Sequence, residues 1–389
     1  MPVLNPLVSA IEAPPIMEAH GWVPRYSGAH GPMLDLCQAV PGYAPHPDLL
    51  ERVAEAARDP LKAKYGPING DLALRELHAA DLSATYGGAV SPAEVSVTSG
   101  CNQAFFLAML TLARAGDSIM LPTPWFWNHQ QTCDMLGLHT VGLPCHADNH
   151  FIPDPADAEA LLHPGVRAIV LVTPNNPTGA VYPPAVIAAF ADLCKRRDIY
   201  LILDETYRDF LPDGQDRAHD VFATPSWGSH IIQIYSFSKA YCIPGHRLGA
   251  IAASEALSNQ FTKVLDCMHI CPQRPAQAAL LWAIPNLAEW RAANRAMINE
   301  RAVALRDAFQ SLPRWHVESI GSYFAYVRHP FANTPAPQVA ERMMTEVGAL
   351  CLPGTAFGPG QEGHLRFAFA NTDLAGIGSL ATRLSAMAA

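Results

Sequence analysis

No run of lysine or arginine longer than the three residues at 195–197 occurs in the 389 residues, and the formal charge is −9. Nucleic acid and anionic membrane both call for a basic surface, so neither is expected as a main partner. A small anion, which needs only a local positive site, stays open. No apolar stretch approaches the roughly 20 residues of a membrane span. The N-terminal "MPVLNPLVSAIEAPP" has no charged segment leading into a long apolar one, so no signal peptide is expected. The nine cysteines are odd in number and follow no framework spacing, which points to reduced thiols and a cytoplasmic protein. Their one local cluster, Cys267-Met-His269-Ile-Cys271, has no fourth ligand group at a usual spacing, so no metal is expected. There is no internal repeat, and no Gly-x-Gly-x-x-Gly turn follows a strand, which disfavours a nicotinamide enzyme.

What is present suits a large folded enzyme. Half of the residues are hydrophobic and 16% are charged, enough to bury a sizeable core. Short apolar runs alternate with helical patterns through the middle: "EVSVTSG", "DSIMLPTP", "VRAIVLVTPNNPTG", "IYLILDETY" and "HIIQIYSFSK" read as strands, with helices such as "CNQAFFLAMLTLARAG", closing at Gly116, and "PPAVIAAFADLCKRRD" between them. Continuous apolar strands separated by helices predict an α/β fold, a mostly parallel sheet covered by helices on both faces. Near residue 290 the pattern changes to a long helix, then the short strands "GSYFAYVR" and "HLRFAFA" around a helix at 336–347. The expected organisation is a large domain at 46–289 and a smaller α+β domain made of 290–389 with the proline-rich, irregular arm 1–45. Ligands of open parallel sheets gather beyond the carboxyl ends of the strands. Asn175, Asn176, Asp204, Ser236 and Lys239 all fall just past such ends.

Taken singly these residues have ordinary explanations. A lysine at a strand end is usually solvated, "NNPTG" is a good turn, an aspartate after "LIL" is often a cap, and Arg247 alone reads as an ion-pair partner. Order and spacing lift the set. "TPNNPTG", then "LILDETY", then "SFSKAYCIPGHRLG" resembles the signature of the class I/II aminotransferases, pyridoxal-phosphate enzymes of fold type I, and the resemblance extends over nearly the whole chain.

That resemblance implies a role for each residue. Lys239 becomes the Schiff-base lysine, whose amine must be desolvated or crowded by positive charge to be reactive at pH 7. Asp204 pairs with the ring nitrogen, and Asn176 and Tyr207 donate to the ring oxygen. The turn Ser99-Gly100-Cys101-Asn102 opens a helix whose free amides, with Ser236, Ser238 and Arg247, would hold the phosphate. Phe126 in "PTPWFWNH" would stack on the ring, with Trp125 and Trp127 one residue either side. Arg366 in "GHLRFAFA" would grip the substrate carboxylate, and Tyr65 would reach the phosphate of a neighbouring subunit, implying a homodimer with shared sites. The pattern departs at "CQAVPGY", where Ala39 stands in a glycine's place near the substrate carboxylate and Gly42 follows the proline.

The implied activity is transfer of an amino group from an amino acid to a 2-keto acid. Arg366 favours α-proton abstraction over decarboxylation; β-elimination of a sulfur substituent on the same scaffold is the runner-up. An effector domain of a transcription regulator fits poorly, because only some 45 proline-rich residues precede the fold. Aligning on "CPQRPAQ" puts Met268 near the place where the resemblance implies a second, dicarboxylate-binding arginine contributed across the dimer, with His269 and Ile270 beside it and Arg274 a turn away. With Trp22, Trp125 or Trp127, and Tyr323 available near the pocket, a neutral, apolar, aromatic or sulfur-containing donor is expected.

Overall fold

The computed structural model describes residues 2–387. The arm contributes two short helices, α1 (Pro6–Ser9) and α2 (Pro15–His20), and a two-residue strand, β1 (Leu34–Asp35). Next come α3 (Pro47–Arg58), α4 (Leu72–Tyr86), β2 (Val95–Thr98), α5 (Cys101–Leu112), β3 (Ser118–Thr123), α6 (Trp127–Met135), β4 (His139–Pro144) and α7 (Pro155–Leu161). The nucleus of the chain follows: β5 (Val166–Val172), α8 (Pro184–Arg197), β6 (Tyr200–Asp204), β7 (Ile231–Ser236), α9 (Phe237–Ala240) and β8 (Gly249–Ala252). Then α10 (Glu255–Met268), α11 (Arg274–Asn286) and α12 (Ala288–Phe309) lead to β9 (His316–Gly321), β10 (Phe324–Arg328) and α13 (Ala336–Val347). The chain closes with β11 (Ala349–Leu350), β12 (Leu352–Pro353), β13 (His364–Phe367) and α14 (Leu374–Ser385).

Seven strands form one sheet in the order β2-β8-β7-β6-β5-β3-β4. All neighbours are parallel except those of β8, which runs antiparallel to both β7 and β2. The strands are apolar throughout because both faces are covered, and successive side chains sort to opposite faces. Ile169, Leu171, Leu201 and Leu203 pack with α4, α8 and α11, whereas Ala168, Val170, Ile202 and Ile234 pack with α5, α6 and α10. Burying each such aliphatic side chain contributes roughly 1.5–3 kcal/mol, and Ile202→Ala is expected to cost about 2–5 kcal/mol. A second sheet, β12-β13-β10-β9, is antiparallel and packs against α12, α13 and α14.

Three sequence expectations need correction. The arm is not irregular: it holds α1 and α2, and β1 pairs in parallel with β11. Nor does all of it lie on the smaller sheet, since α1 rests on α6 of the larger one. The helix expected to close at Gly116 ends at Leu112, where the Ala113 amide bonds the Met109 carbonyl and the backbone turns extended; a turn capped by Asp117 on the Arg114 amide follows.

Candidate active site

The turns at the carboxyl ends of β2, β3, β5, β6 and β7 enclose a cleft of about 500 Å³, completed by the arm and by β13. At its floor lies Lys239. Ser236 ends β7 and caps α9, its hydroxyl accepting the Ser238 amide at 3.2 Å, and the lysine leaves this short turn toward the cleft. Its Nζ donates to the Ala39 carbonyl and lies 6.0 Å from the centre of the Tyr207 ring. Burial lowers the pKa of this amine from 10.5 to about 8; Cys101 opposes the shift, and Arg247 and Arg366 add to it.

Asp204, at the end of β6, is 3% exposed. One carboxylate oxygen accepts from the amide and hydroxyl of Thr206 at 3.0 and 2.7 Å, and the other is 3.2 Å from Nε2 of His129. His129 is stacked on Phe105 at 3.9 Å, which fixes the ring. The cleft thus contains a buried anion held on two sides by donors.

The "TPNNPTG" turn divides its two asparagines between separate tasks. Asn175 is consumed by the turn, bonding the Thr178 amide and hydroxyl, the Val172 carbonyl and the Tyr182 hydroxyl. Asn176 faces the cleft and accepts from Arg366 Nη1 at 3.1 Å. Arg366 is fully buried on β13, and its guanidinium carbon lies 5.0–5.4 Å from the ring centres of Trp127, Phe324 and Phe357. Its other amine donates to the Cys37 carbonyl, while Nε has no partner among the described residues. A buried cation held only by neutral acceptors is costly, and burial accordingly lowers its pKa. Such a site fits a carboxylate.

An anion cup stands at the other end. Helix α5 begins at Cys101 behind Gly100, which offers no capping side chain, so its first amides point outward without intrahelical acceptors. Arg247 donates to the carbonyls of Pro244 and Ser99 at 3.0 and 3.1 Å. Gly100 has φ 89°, and a Cβ there would run into the Arg247 guanidinium, so only glycine lets turn and arginine close on one anion. Ser236, Ser238, Cys101 and Asn102 complete the lining. Burial raises the Cys101 thiol pKa, which keeps it neutral, and its sulfur lies 3.1 Å from the Thr206 hydroxyl oxygen.

Tyr207 is 4% exposed, held edge-on by Phe324 and at a tilt by Tyr323. Burial raises its hydroxyl pKa, so it remains a donor. Phe126 and Trp127 both line the cleft; Trp125 turns away, packing near Gly142 and Gly358. Ala39 borders the cleft, whereas Gly42 lies against the Ala370 carbonyl and Arg301. Tyr65 is 77% exposed and outside the cleft. Arg274 is engaged by Asp71 at 3.1 Å and the Leu61 carbonyl at 2.8 Å; Trp22 and Tyr323 do not line the cleft but pack behind it, Tyr323 on Tyr207 and Trp22 in the cluster with Phe126 and Trp127. Sequence reasoning missed His129, Thr206, Ile16, Gln38, Val40 and Asn128. For His129 the only signal was its place three residues after Phe126 on α6.

The family model for aminotransferase class I and II matches residues 31–384. An aromatic aminotransferase of Arabidopsis thaliana is 28% identical over 359 residues, 90% of this chain and 88% of that protein. A probable aspartate/prephenate aminotransferase of Thermus aquaticus is 30% identical over 331 residues, 83% of this chain and 84% of its own. A solved structure of a single mutant of Thermus thermophilus aspartate aminotransferase superposes with a TM-score of 0.90 at 26% identity, covering 98% of this chain and 99% of that one.

Proposed function

The chain belongs to the class I and II aminotransferases, pyridoxal-phosphate enzymes that act on amino and keto acids, and from that premise we propose how its cleft works and which donors it prefers. The residues present fit the cofactor: a depressed amine, a buried carboxylate and a glycine-shaped anion cup face one cavity. When bound, pyridoxal phosphate supplies an aldehyde that takes up the amino group and a ring that accepts the electron pair left at Cα.

In this reading Arg247, Ser236, Ser238 and the amides after Gly100 bind the phosphate. Asp204, held by Thr206 and His129, keeps the ring nitrogen protonated. Asn176 and Tyr207 would donate to the ring oxygen, and Phe126 would pack against the ring. Arg366 takes the substrate carboxylate while Asn176 keeps the guanidinium planar to it. Lys239 would hold the cofactor through its amine, and that amine would move the proton at Cα. Residues 46–289 carry the cofactor parts, and 1–45 with 290–389 bring Arg366 and the arm to them.

The relatives carry both aromatic and aspartate names, so the choice of donor is argued from the cleft. Beyond Lys239, Arg247 and Arg366, all engaged as above, its described lining has no cation, and the outer wall is Ile16, Gln38, Val40, Trp127 and Asn128. That wall does not offset the desolvation of a second carboxylate, but it gains about 25 cal/mol for each Å² of apolar side chain it covers. The neutral outer wall, with Met268 aligned where the partner's second arginine would stand, carries the proposal of a neutral donor, apolar, aromatic or sulfur-containing. Initial rates with phenylalanine, methionine, leucine, aspartate and glutamate test it: kcat/KM for a neutral donor should exceed that for aspartate at least about tenfold, and a lead for aspartate overturns it.

Two coarser features follow from the same reading. Tyr65, Met268 and Ile270 are exposed hydrophobic side chains, which supports a homodimer in which Tyr65 completes the partner's site. No helix among the described residues is long and apolar enough to cross a membrane, and all nine cysteines are free, which supports a cytoplasmic location.

A further inference from the structure

The anion cup is made of two pieces that share no element, the turn at 98–102 and the loop carrying Arg247. Both are held by a third segment, the connection between α10 and α11. His269 follows the end of α10, its Nδ1 3.3 Å from the Ser99 hydroxyl. Four residues on, the Gln273 amide nitrogen donates to the carbonyls of both His246 and Arg247. Between them Ile270 sits at φ 65°, a conformation unfavourable to a β-branched residue, and the Cys271 sulfur accepts the Gly66 amide at 3.4 Å.

Ser99 shows what this does. Its amide donates to the Gln103 side chain at 2.6 Å, its carbonyl accepts from Arg247 at 3.1 Å, and its hydroxyl meets His269. With all its polar groups spoken for by protein, Ser99 is fixed, and the free amides that follow it are aimed by that fixation. Arg247 is itself exposed and in the left-handed region at φ 51°, so its backbone needs the Gln273 bonds to present the guanidinium at one angle.

We propose that His269 and Gln273 are positioning residues for the phosphate end of the cofactor: one loop, outside the lining of this chain's own cleft, sets the spacing between turn and arginine. The proposal depends on the phosphate lying in the Arg247 cup. It is tested on apoprotein, by equilibrium titration with pyridoxal phosphate and with pyridoxal, which has no phosphate, while thermal melting reports the fold. His269→Ala and Gln273→Ala should each weaken pyridoxal phosphate about three- to tenfold, the worth of a lost hydrogen bond, and leave pyridoxal unchanged. His269→Asn, which keeps a polar atom near the Nδ1 position, should recover part of the loss; Gln273→Glu, the same size without the donor, should recover none. Arg247→Ala is the control. If it reduces the preference for the phosphorylated cofactor and the loop variants do not, or if they weaken both ligands equally, the positioning role is refuted while the cup stands. If Arg247→Ala leaves that preference intact, the cup reading falls and the proposal with it.

Discussion

The amine of Lys239 has to lose its proton before it can act as nucleophile or base. Burial, helped by Arg247 and Arg366, lowers its pKa from 10.5 to about 8. At pH 7 that leaves about 9% of the amine unprotonated, against roughly 0.03% for an ordinary lysine, a gain of about 300-fold. The perturbation is pH, applied to apoprotein, with capture of pyridoxal phosphate followed by stopped-flow absorbance. Parallel measurements with a free lysine analogue divide out the cofactor's own titrations. The corrected rate should rise about tenfold per unit from pH 6 to 7, bend near 8 and level off by about 9. A rate that climbs at constant slope to pH 10 means that Lys239 titrates as a solvated lysine, and the argument for a primed amine fails.

The same shift sets a stability change whose sign is fixed. Because the folded pKa lies below the unfolded one, the unfolded chain binds the proton more tightly. Stability from this group is therefore fully present above 10.5 and lost as pH falls through about 8. Between pH 7 and 9 the gain amounts to about 1.3 kcal/mol. Buried thiols such as Cys101 and Cys37, whose pKa values burial raises, push the other way at alkaline pH. The measurement is thus the difference between wild type and Lys239→Met in urea unfolding of apoprotein, which should grow with pH by that amount. A pH-independent difference counts against the shift.

Asp204→Asn should bind the cofactor yet lose at least about 99% of single-turnover rate, because an amide does not keep the ring nitrogen protonated; near-wild-type turnover shows the pairing is wrong. His78 is buried between Tyr235 and Phe237 with its pKa lowered to about 3 by burial, Arg208 adding to the shift. The stability it contributes is therefore lost as pH falls from 6.5 toward 3, about 2 kcal/mol of it by pH 5. His78→Phe should flatten the acid limb of the unfolding curve by that amount, and an unchanged limb counts against it. Sedimentation velocity should show a dimer, and Tyr65→Ala should weaken cofactor retention without dissociating it; a fully active monomer refutes the shared site.

The parts legible in the sequence were those whose physics is local. β5, β6 and β7 are apolar runs closed by turn formers, and Asn176, Asp204, Ser236 and Lys239 lie within a few residues of their ends, so strand and site were read together. β4, β8 and β9 were not read. β4 is an edge strand with His139, Gly142 and Pro144 at the surface, out of step with a period of two, and a glycine and a proline in "HTVGLP", β9 is a half-exposed edge, and β8, "GAIA", has little β-propensity and is a strand because two neighbours pair with it. The site follows the same division. His129 meets Asp204 across 75 positions, and nothing near "WNHQQ" announces it. The aromatic triplet makes the case most clearly. Trp125, Phe126 and Trp127 are consecutive at a junction of strand and helix, where neither period applies; the resemblance put Phe126 on the ring and left a shift of one residue either way open. The choice is made by distant chain: a Cβ at Gly358 would come within 3.1 Å of the Trp125 ring, and the Trp125 amide bonds the Phe357 carbonyl at 2.9 Å. Gly358 makes room for Trp125 outside the cleft, which leaves Phe126 and Trp127 to line it. Selection of the ring wall therefore resides partly in Gly358, a residue that does not touch the site.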